Sequence, residues 1–321
     1  MLRHAIPSPV VNQQAPSAQG IAKWSYDEAF ARNLGLIAPR EQERLRNSRV
    51  AIAGVGGVGG IHLVTLARLG IGRFTIADPD VYDTANFNRQ YGAKLRNLGR
   101  SKVEVMAEEA LEINPELDLR VFHEPVTAEN VGDFLDGVNV VLDGIDFFAF
   151  DARRLVFREA RRRGIWAITA GPIGFSAAWL VFDPQGMDFD TYFDLHDGMA
   201  PADQFAAFLI GLTPRGTHFR YLDLSVVDRR TGRGPSAGLA CSLCAGVAVA
   251  EAAKVILGRG TLRPAPCYAQ FDAYRCVLRR GRLRLGNRGP LQRLKRFILR
   301  RRMLQFGYGL ESAPSLLSNT S

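Results

Sequence analysis

Gly54-Val55-Gly56-Gly57-Val58-Gly59-Gly60 constrains this chain more than any other segment. It follows Arg49-Val50-Ala51-Ile52-Ala53, a short apolar run with the length of a buried strand. It leads into a helical apolar period over Val58–Leu69. A glycine-rich turn between a strand and a helix lets the backbone bend tightly and come close to a phosphate. The start of the helix supplies unpaired N–H groups and the positive end of its dipole. The segment contains G-x-G-x-x-G, and Asp78 follows at the spacing of a ribose-binding acid. Alone, the motif indicates a nucleotide and leaves ATP, NAD and S-adenosylmethionine open.

The alternation continues downstream. Strands are expected at 73–77, 117–122, 138–142 and 165–170, with helices over 101–113 and 149–163. The second of these helices is expected to turn an arginine-rich face to solvent. Strands alternating with helices over roughly 50–170 predict an α/β fold with a Rossmann-like, doubly wound, mostly parallel sheet. Ligands of such sheets bind beyond the carboxyl ends of the strands. Strands at 176–182 and 268–278 add an antiparallel C-terminal part. Residues 183–235 read as a long crossover loop, and 238–257 as a small-residue helix fit for close packing. Residues 1–22 read as a disordered leader, 23–278 as one domain, and 279–321 as a basic tail.

Composition excludes several classes. At 47% hydrophobic and 23% charged, the chain can bury a core and is not disordered by composition. Four cysteines in 321 residues are too few for a disulfide scaffold. No apolar stretch opens the chain or is suited to span a bilayer, so the expected compartment is the cytoplasm. The formal charge of +9 is unevenly spread: residues 273–310 hold 12 Lys+Arg and no acid, which leaves 29 basic against 32 acidic residues elsewhere. A basic tail can attract an acidic partner or an anionic membrane surface. The plainer reading is a solvated or packing element, and no specific nucleic acid is expected.

A second segment narrows the ligand. Asp78-Pro79-Asp80 is followed by Asn86-Phe87-Asn88-Arg89-Gln90, then by Gly99-Arg100-Ser101-Lys102 at a helix start. A cluster of amides, an arginine and a lysine has no task in ordinary dinucleotide binding. It suits a triphosphate, the cations meeting phosphate oxygens and the amides meeting ribose and phosphate. Asp143 and Asp146 follow the fourth strand and face the same crevice. Asp146 is a candidate for Mg²⁺, which takes one or two carboxylates alongside phosphate oxygens. Asp143 either shares that role or caps the following turn. His196 lies among aromatics in the long loop, where a lone histidine is ordinarily incidental.

On these residues the chain resembles the ThiF/MoeB/HesA superfamily, the ubiquitin-activating-enzyme-like adenylyltransferases. The resemblance covers about 24–182 and, more weakly, 236–278. It rests on Gly54-x-Gly56-Gly57-x-Gly59, on Asp78 and Asp80 followed by Asn86, Arg89 and Gln90, and on Lys102 and Asp146. Arg32, ten residues before Gln42, matches an arginine that in the family reaches across a homodimer into the partner's ATP site. The implied reaction is attack of a carboxylate on the α-phosphorus of ATP, giving an acyl-adenylate and pyrophosphate. The implied substrate is the C-terminal glycine of a ubiquitin-like or sulfur-carrier protein, or a peptide. Asp78 would bind ribose, and Asn86, Arg89, Gln90 and Lys102 would hold the triphosphate. Asp146 would bind Mg²⁺ and Arg32 would neutralise the leaving pyrophosphate. The alternatives are a NAD- or S-adenosylmethionine-dependent enzyme, or a nucleotide-binding scaffold without turnover.

The chain also departs from the family pattern. Many relatives hold zinc with two Cys-x-x-Cys pairs, but only Cys241-Ser242-Leu243-Cys244 has that spacing here, Cys267 and Cys276 standing nine apart. Packed cysteines are therefore expected rather than a zinc site. The crossover loop has no cysteine, so a thiol acceptor would have to be Cys241 or Cys244, activated by a helix N-terminus. The family's usual Asp-Asn after the fourth strand reads Asp146-Phe147.

Overall fold

Arg49–Ala53 (β1) is buried along its whole length. A strand buried on both faces needs neighbours on both edges and helices above and below. In the computed structural model, which describes residues 24–222 and 235–305, β1 pairs in parallel with Arg73–Ala77 (β2) and Val140–Asp143 (β4). Asp118–Phe122 (β3) extends the sheet beyond β2, and Trp166–Ile173 (β5) beyond β4, again in parallel. Ser176–Phe182 (β6), Cys267–Asp272 (β7) and Val277–Arg282 (β8) continue it antiparallel. The order is β3-β2-β1-β4-β5-β6-β7-β8, and the sheet is mostly parallel with an antiparallel C-terminal part, the class that the alternation predicts. Direction along the sheet reverses between β1 and β4, which opens a crevice at their carboxyl ends.

Short helices Tyr26–Ala29 (α1) and Pro39–Asn47 (α2) precede the sheet. The period-two alternation of the strands then sorts the core. Val50, Ile52, Phe74, Ile76, Val140 and Leu142 face Gly57–Leu69 (α3), Lys102–Leu111 (α4) and Gly238–Leu257 (α9). Ala51, Ala53, Val141, Ala167 and Leu180 face the other layer. That layer is Val131–Phe134 (α5), Phe150–Arg162 (α6), Phe189–Phe193 (α7) and Pro201–Leu212 (α8). Among the described residues α9 alone is long and apolar enough to cross a membrane, and it packs against α3, β5 and β6.

Three expectations change. The crossover loop 183–235 contains α7, whose N-cap Asp188 accepts the Thr191 N–H at 2.7 Å, and α8, which starts at Pro201. α8 is apolar on nearly every side, so no polar face betrays its period, and α7 is only five residues long. The strand expected over 268–278 is a hairpin of β7 and β8. A boundary after 278 therefore cuts through β8, whose arginines extend the sheet by main-chain bonds at a solvated edge. The basic tail is ordered further on, where Pro290–Gln305 (α10) lies on α8. The leader 1–22, part of the crossover at 223–234 and the stretch 306–321 lie outside the described residues.

His62 in α3 is fully buried, and neither ring nitrogen has a partner. Burial pushes its pKa down to about 3. In the unfolded chain the ring protonates near its ordinary value, whereas in the folded chain it stays neutral until far lower pH. Stability from this site is therefore complete above the unfolded pKa and lost as pH falls below it. Urea unfolding at pH 7.5 and 5.5 should show the parent losing about 1.4 kcal/mol more than His62→Leu over that interval. Equal losses would mean that His62 is protonated or solvated in the native state.

Candidate functional site

The backbone leaves β1 at Gly54, whose φ of +82° favours glycine. A Cβ on Gly59 would fall 1.8 Å from the Gly54 carbonyl oxygen, and one on Gly144 would fall 2.1 Å from the same atom. The turn after β1 and the turn after β4 thus touch backbone to backbone. Asp78, at the end of β2, holds the first turn from the other side. Its Oδ2 accepts the Val55 N–H at 2.8 Å and its Oδ1 accepts the Asp80 N–H at 3.0 Å. Burial pushes the Asp78 carboxyl up, and the nearby Lys102 ammonium opposes that shift. Asp78 is expected on ribose. The structure uses both its oxygens to fix the loop. Lys102 opens α4, is almost buried, and places Nζ 2.7 Å from Oδ2 of the exposed Asp80.

The Asn86–Gln90 stretch closes over the same turn. Asn86 Oδ1 accepts the Asp83 N–H at 3.0 Å, so this amide oxygen caps its own turn. Arg89 Nη1 donates to the Ala85 carbonyl and to Asn88 Oδ1, both at 2.9 Å. It forms no ion pair among the described residues. Gln90 is buried, with Oε1 unpartnered. A Cβ on Gly56 would lie 3.4 Å from Gln90 Nε2, and one on Gly57 would lie 4.0 Å from Arg89 Cγ. The Asn88 carbonyl accepts the Gly238 N–H at 3.2 Å, which brings the start of α9 against the cluster.

The turn after β4 is stapled by a pair that the sequence did not reveal. Asp143 Oδ2 accepts from Arg153 Nε at 2.9 Å and from Thr169 Oγ1 at 2.8 Å, and its Oδ1 accepts the Ile145 N–H at 3.1 Å. Arg153 Nη2 donates to the carbonyls of Ile145, at 2.6 Å, and Asp146, at 3.0 Å. Asp143 therefore caps its turn, and Arg153 fixes the same turn from α6. Arg153 and Arg154 are both buried, whereas Arg158, Arg161 and Arg162 form the exposed arginine face expected of this helix. Arg154 meets Asp190 and Asp197, each at 2.9 Å. The available signal was Asp143 itself: a carboxylate ending an apolar strand needs a cation.

Asp146 is thereby presented to solvent, one oxygen accepting the Phe148 N–H at 3.0 Å. Phe147 packs on Phe205 and Phe208, at 5.5 and 4.9 Å between ring centroids. Half-exposed Phe148 stacks on Phe205 at 5.3 Å. The residue after Asp146 is thus an anchor into α8, leaving an aromatic shelf beside the carboxylate. A single exposed carboxylate suits Mg²⁺ that also binds phosphate oxygens. No group of three or more His, Cys, Asp or Glu side chains able to hold a metal occurs among the described residues.

Two sets of expected residues fall elsewhere. Arg32 is exposed in the turn Ala31–Asn33. The neighbouring Asn33 Nδ2 donates to the carbonyl of Leu69, the last residue of α3. The glycine-rich turn is at the other end of that helix, about 18 Å away at 1.5 Å per residue, so Arg32 is not brought to the site of its own chain. Cys241 and Cys244 are fully buried. Burial pushes the Cys241 thiol up to about 11, opposed by the nearby Arg89, and pushes the Cys244 thiol well above its ordinary value. Desolvation outweighs the helix N-terminus, so neither thiol is the activated nucleophile the sequence suggested. Cys267 and Cys276 lie on the β7–β8 hairpin, and all four thiols are free.

The sequence profile of the ThiF family matches residues 30–290. The chain is 34% identical over 151 residues to the tRNA threonylcarbamoyladenosine dehydratase of Haemophilus influenzae, covering 47% of this chain and 57% of that protein. It is 30% identical over 148 residues to the sulfur carrier protein ThiS adenylyltransferase of Escherichia coli, covering 46% and 58%. The matches thus span little more than half the length of either relative. The fold superposes on E. coli MccB, solved with AMPCPP and MccA, with a TM-score of 0.59 at 19% identity, covering 81% of this chain and 73% of that one.

Removing the Arg153 guanidinium would leave Asp143 buried without a cation. Arg153→Met is expected to cost about 3–5 kcal/mol of unfolding free energy, and Asp143→Asn/Arg153→Met to recover most of it. Denaturant melts of the two variants measure the difference. A loss under about 1 kcal/mol in the single variant would show that the pair does not hold the turn.

Proposed function

The chain belongs to the ThiF family, and on that premise we propose that it activates a carboxylate by adenylation with ATP. The observation that carries this reading is the grouping of Arg89, Lys102 and the unpartnered Gln90 carbonyl around the Gly54–Gly59 turn, with exposed Asp146 on the adjoining turn. A nicotinamide dinucleotide would need the glycines and an acid. It would have no use for two cations and a carboxylate at the same crevice. The names of the adenylyltransferase and dehydratase relatives, and the AMPCPP in the MccB structure, support the same reading.

In the reaction, an oxygen of the substrate carboxylate attacks the α-phosphorus. The bond from that phosphorus to the bridging oxygen breaks, and pyrophosphate leaves. The chain supplies position and charge rather than a covalent intermediate. Main-chain N–H groups at the start of α3 face the phosphates. Arg89 and Lys102 take up negative charge as it moves onto the leaving group. The Asp80 carboxylate holds the Lys102 ammonium at 2.7 Å. Mg²⁺, held through Asp146, would neutralise phosphate charge when bound. Arg32 stands at the far end of α3, and we assign it to the site of a second copy in a homodimer.

The substrate we favour is the C-terminal carboxylate of a peptide or of a ubiquitin-like or sulfur-carrier protein. The Phe148–Phe205 shelf beside Asp146 fits an apolar residue close to that terminus. Burial of Cys241 and Cys244 leaves the adenylate for an acceptor other than these two thiols. ATP supply places the reaction in the cytoplasm.

Pyrophosphate–ATP exchange tests the proposal. With the carboxylate substrate present, Arg89→Ala and Asp146→Ala are each expected to lower exchange by about 10²–10³-fold at unchanged circular dichroism. Mixed in equal amounts and allowed to re-equilibrate, inactive Arg32→Ala and Arg89→Ala chains should regain about a quarter of parental activity, since only heterodimers assemble one intact site. Exchange unaffected by Arg89→Ala would refute adenylation at this site. Exchange stimulated by transfer RNA instead of a protein or peptide would move the carboxylate to a modified nucleoside.

A further inference from the structure

The C-terminal helix α10 is built inside out. Its inner face is polar: Gln292 Nε2 donates to the Ile210 carbonyl at 3.2 Å, Lys295 Nζ to the Pro214 carbonyl at 2.6 Å, and Arg296 Nη1 to Asp194 Oδ2 at 2.6 Å. Its outer face carries Leu291, Leu294, Phe297 and Ile298, between 45% and 61% exposed. Positions 291, 294 and 298 fall on one helical stripe, with Phe297 beside it. Hydrocarbon grouped in this way on a surface marks a contact with something else.

The charge around the stripe indicates what that is. Residues 273–310 contain 12 cations and no acid. Arg288, Arg296 and Arg300 pair with Asp194 or Asp203 of the body. Exposed Arg279, Arg280, Arg282 and Arg284, together with Arg293 and Arg301, form no ion pair among the described residues. Leu278 and Leu285, 44% and 63% exposed, add apolar surface along the same chain stretch.

We infer that this face docks on an anionic lipid bilayer. The leucine, phenylalanine and isoleucine side chains sit at the boundary of headgroups and acyl chains, and the unpaired Arg293 and Arg301 of the same helix meet lipid phosphates. A second copy fits poorly, because a two-fold contact through this face would set two acid-free surfaces against each other. A nucleic acid would engage the arginines and leave the hydrocarbon stripe in water. The stripe protrudes from the helix, and protruding hydrocarbon enters a lipid interface without needing a complementary groove. This docking is independent of the adenylation reaction and would hold the catalytic domain at a membrane surface.

Flotation of the full chain with phosphatidylcholine vesicles, with and without phosphatidylglycerol as about a third of the lipid, tests the inference. Binding is expected to rise at least about tenfold with the anionic lipid and to disappear in Leu294→Glu/Phe297→Glu. Arg293→Glu/Arg301→Glu should weaken binding and make what remains less sensitive to salt. Circular dichroism and ATP binding should match the parent in both variants. No binding to either vesicle, or equal binding to both, would overturn the inference. So would light scattering in which Leu294→Glu/Phe297→Glu lowers the oligomeric state, because the face would then belong to a second copy. Retention of duplex RNA without vesicle binding would assign the arginines to nucleic acid and overturn it as well.

Discussion

The carboxylate of Asp78, buried and accepting two main-chain N–H groups, fixes the turn on which the rest of the crevice depends. It ties the end of β2 to the turn after β1, and through Asp80 and Lys102 it reaches the first residue of α4. The adjoining turn after β4 has its own buried carboxylate, Asp143, clamped by Arg153. The two turns meet where only hydrogen fits on Gly54, Gly59 and Gly144. Neither carboxylate need leave its bonds for a ligand to enter. Their bonds fix both turns in the absence of any ligand, the kind of preorganisation from which electrostatic catalysis draws its strength.

The remaining polar groups divide by function. Asp78, Asp143, Asn86 and Arg153 hold backbone in place. Arg89, Gln90, Lys102 and Asp146 present charge or an unfilled hydrogen-bonding position to the crevice. The cysteines of α9 belong to neither group. Cys241 lies 3.5 Å from where a Gly57 Cβ would be, and it fills space beneath the turn as a small apolar side chain. The substitution of phenylalanine after Asp146 follows the same division, since Phe147 binds the turn to α8 while Phe148 stays beside the carboxylate.

Much of this was legible in the sequence. Period and glycine spacing gave the parallel strands, the turn after β1 and the crevice. The spacing of Asp78, Asp80, Arg89, Gln90 and Lys102 placed them together, because each sits within a few residues of a strand or helix end. What stayed hidden depended on partners distant in sequence. Arginines 153 and 154 look like a solvated helix face until Asp143, Asp190 and Asp197 are brought to them. The α8 helix has too little polar contrast to show its period. The tail reads as solvated because charge dominates its composition, while its fixed arrangement comes from carbonyls of α8 and its C-terminal turn, and from Asp194.

The central claim is that this crevice recognises a triphosphate. Equilibrium dialysis of the purified chain against ATP, AMP, NAD and S-adenosylmethionine, each with Mg²⁺, tests it most directly. The account predicts saturable binding of one ATP per chain, weaker binding of AMP, and loss of the preference for ATP over AMP when Lys102 is replaced by Met. Tighter binding of NAD or S-adenosylmethionine than of ATP, or a preference for ATP that survives the loss of Lys102, would contradict it.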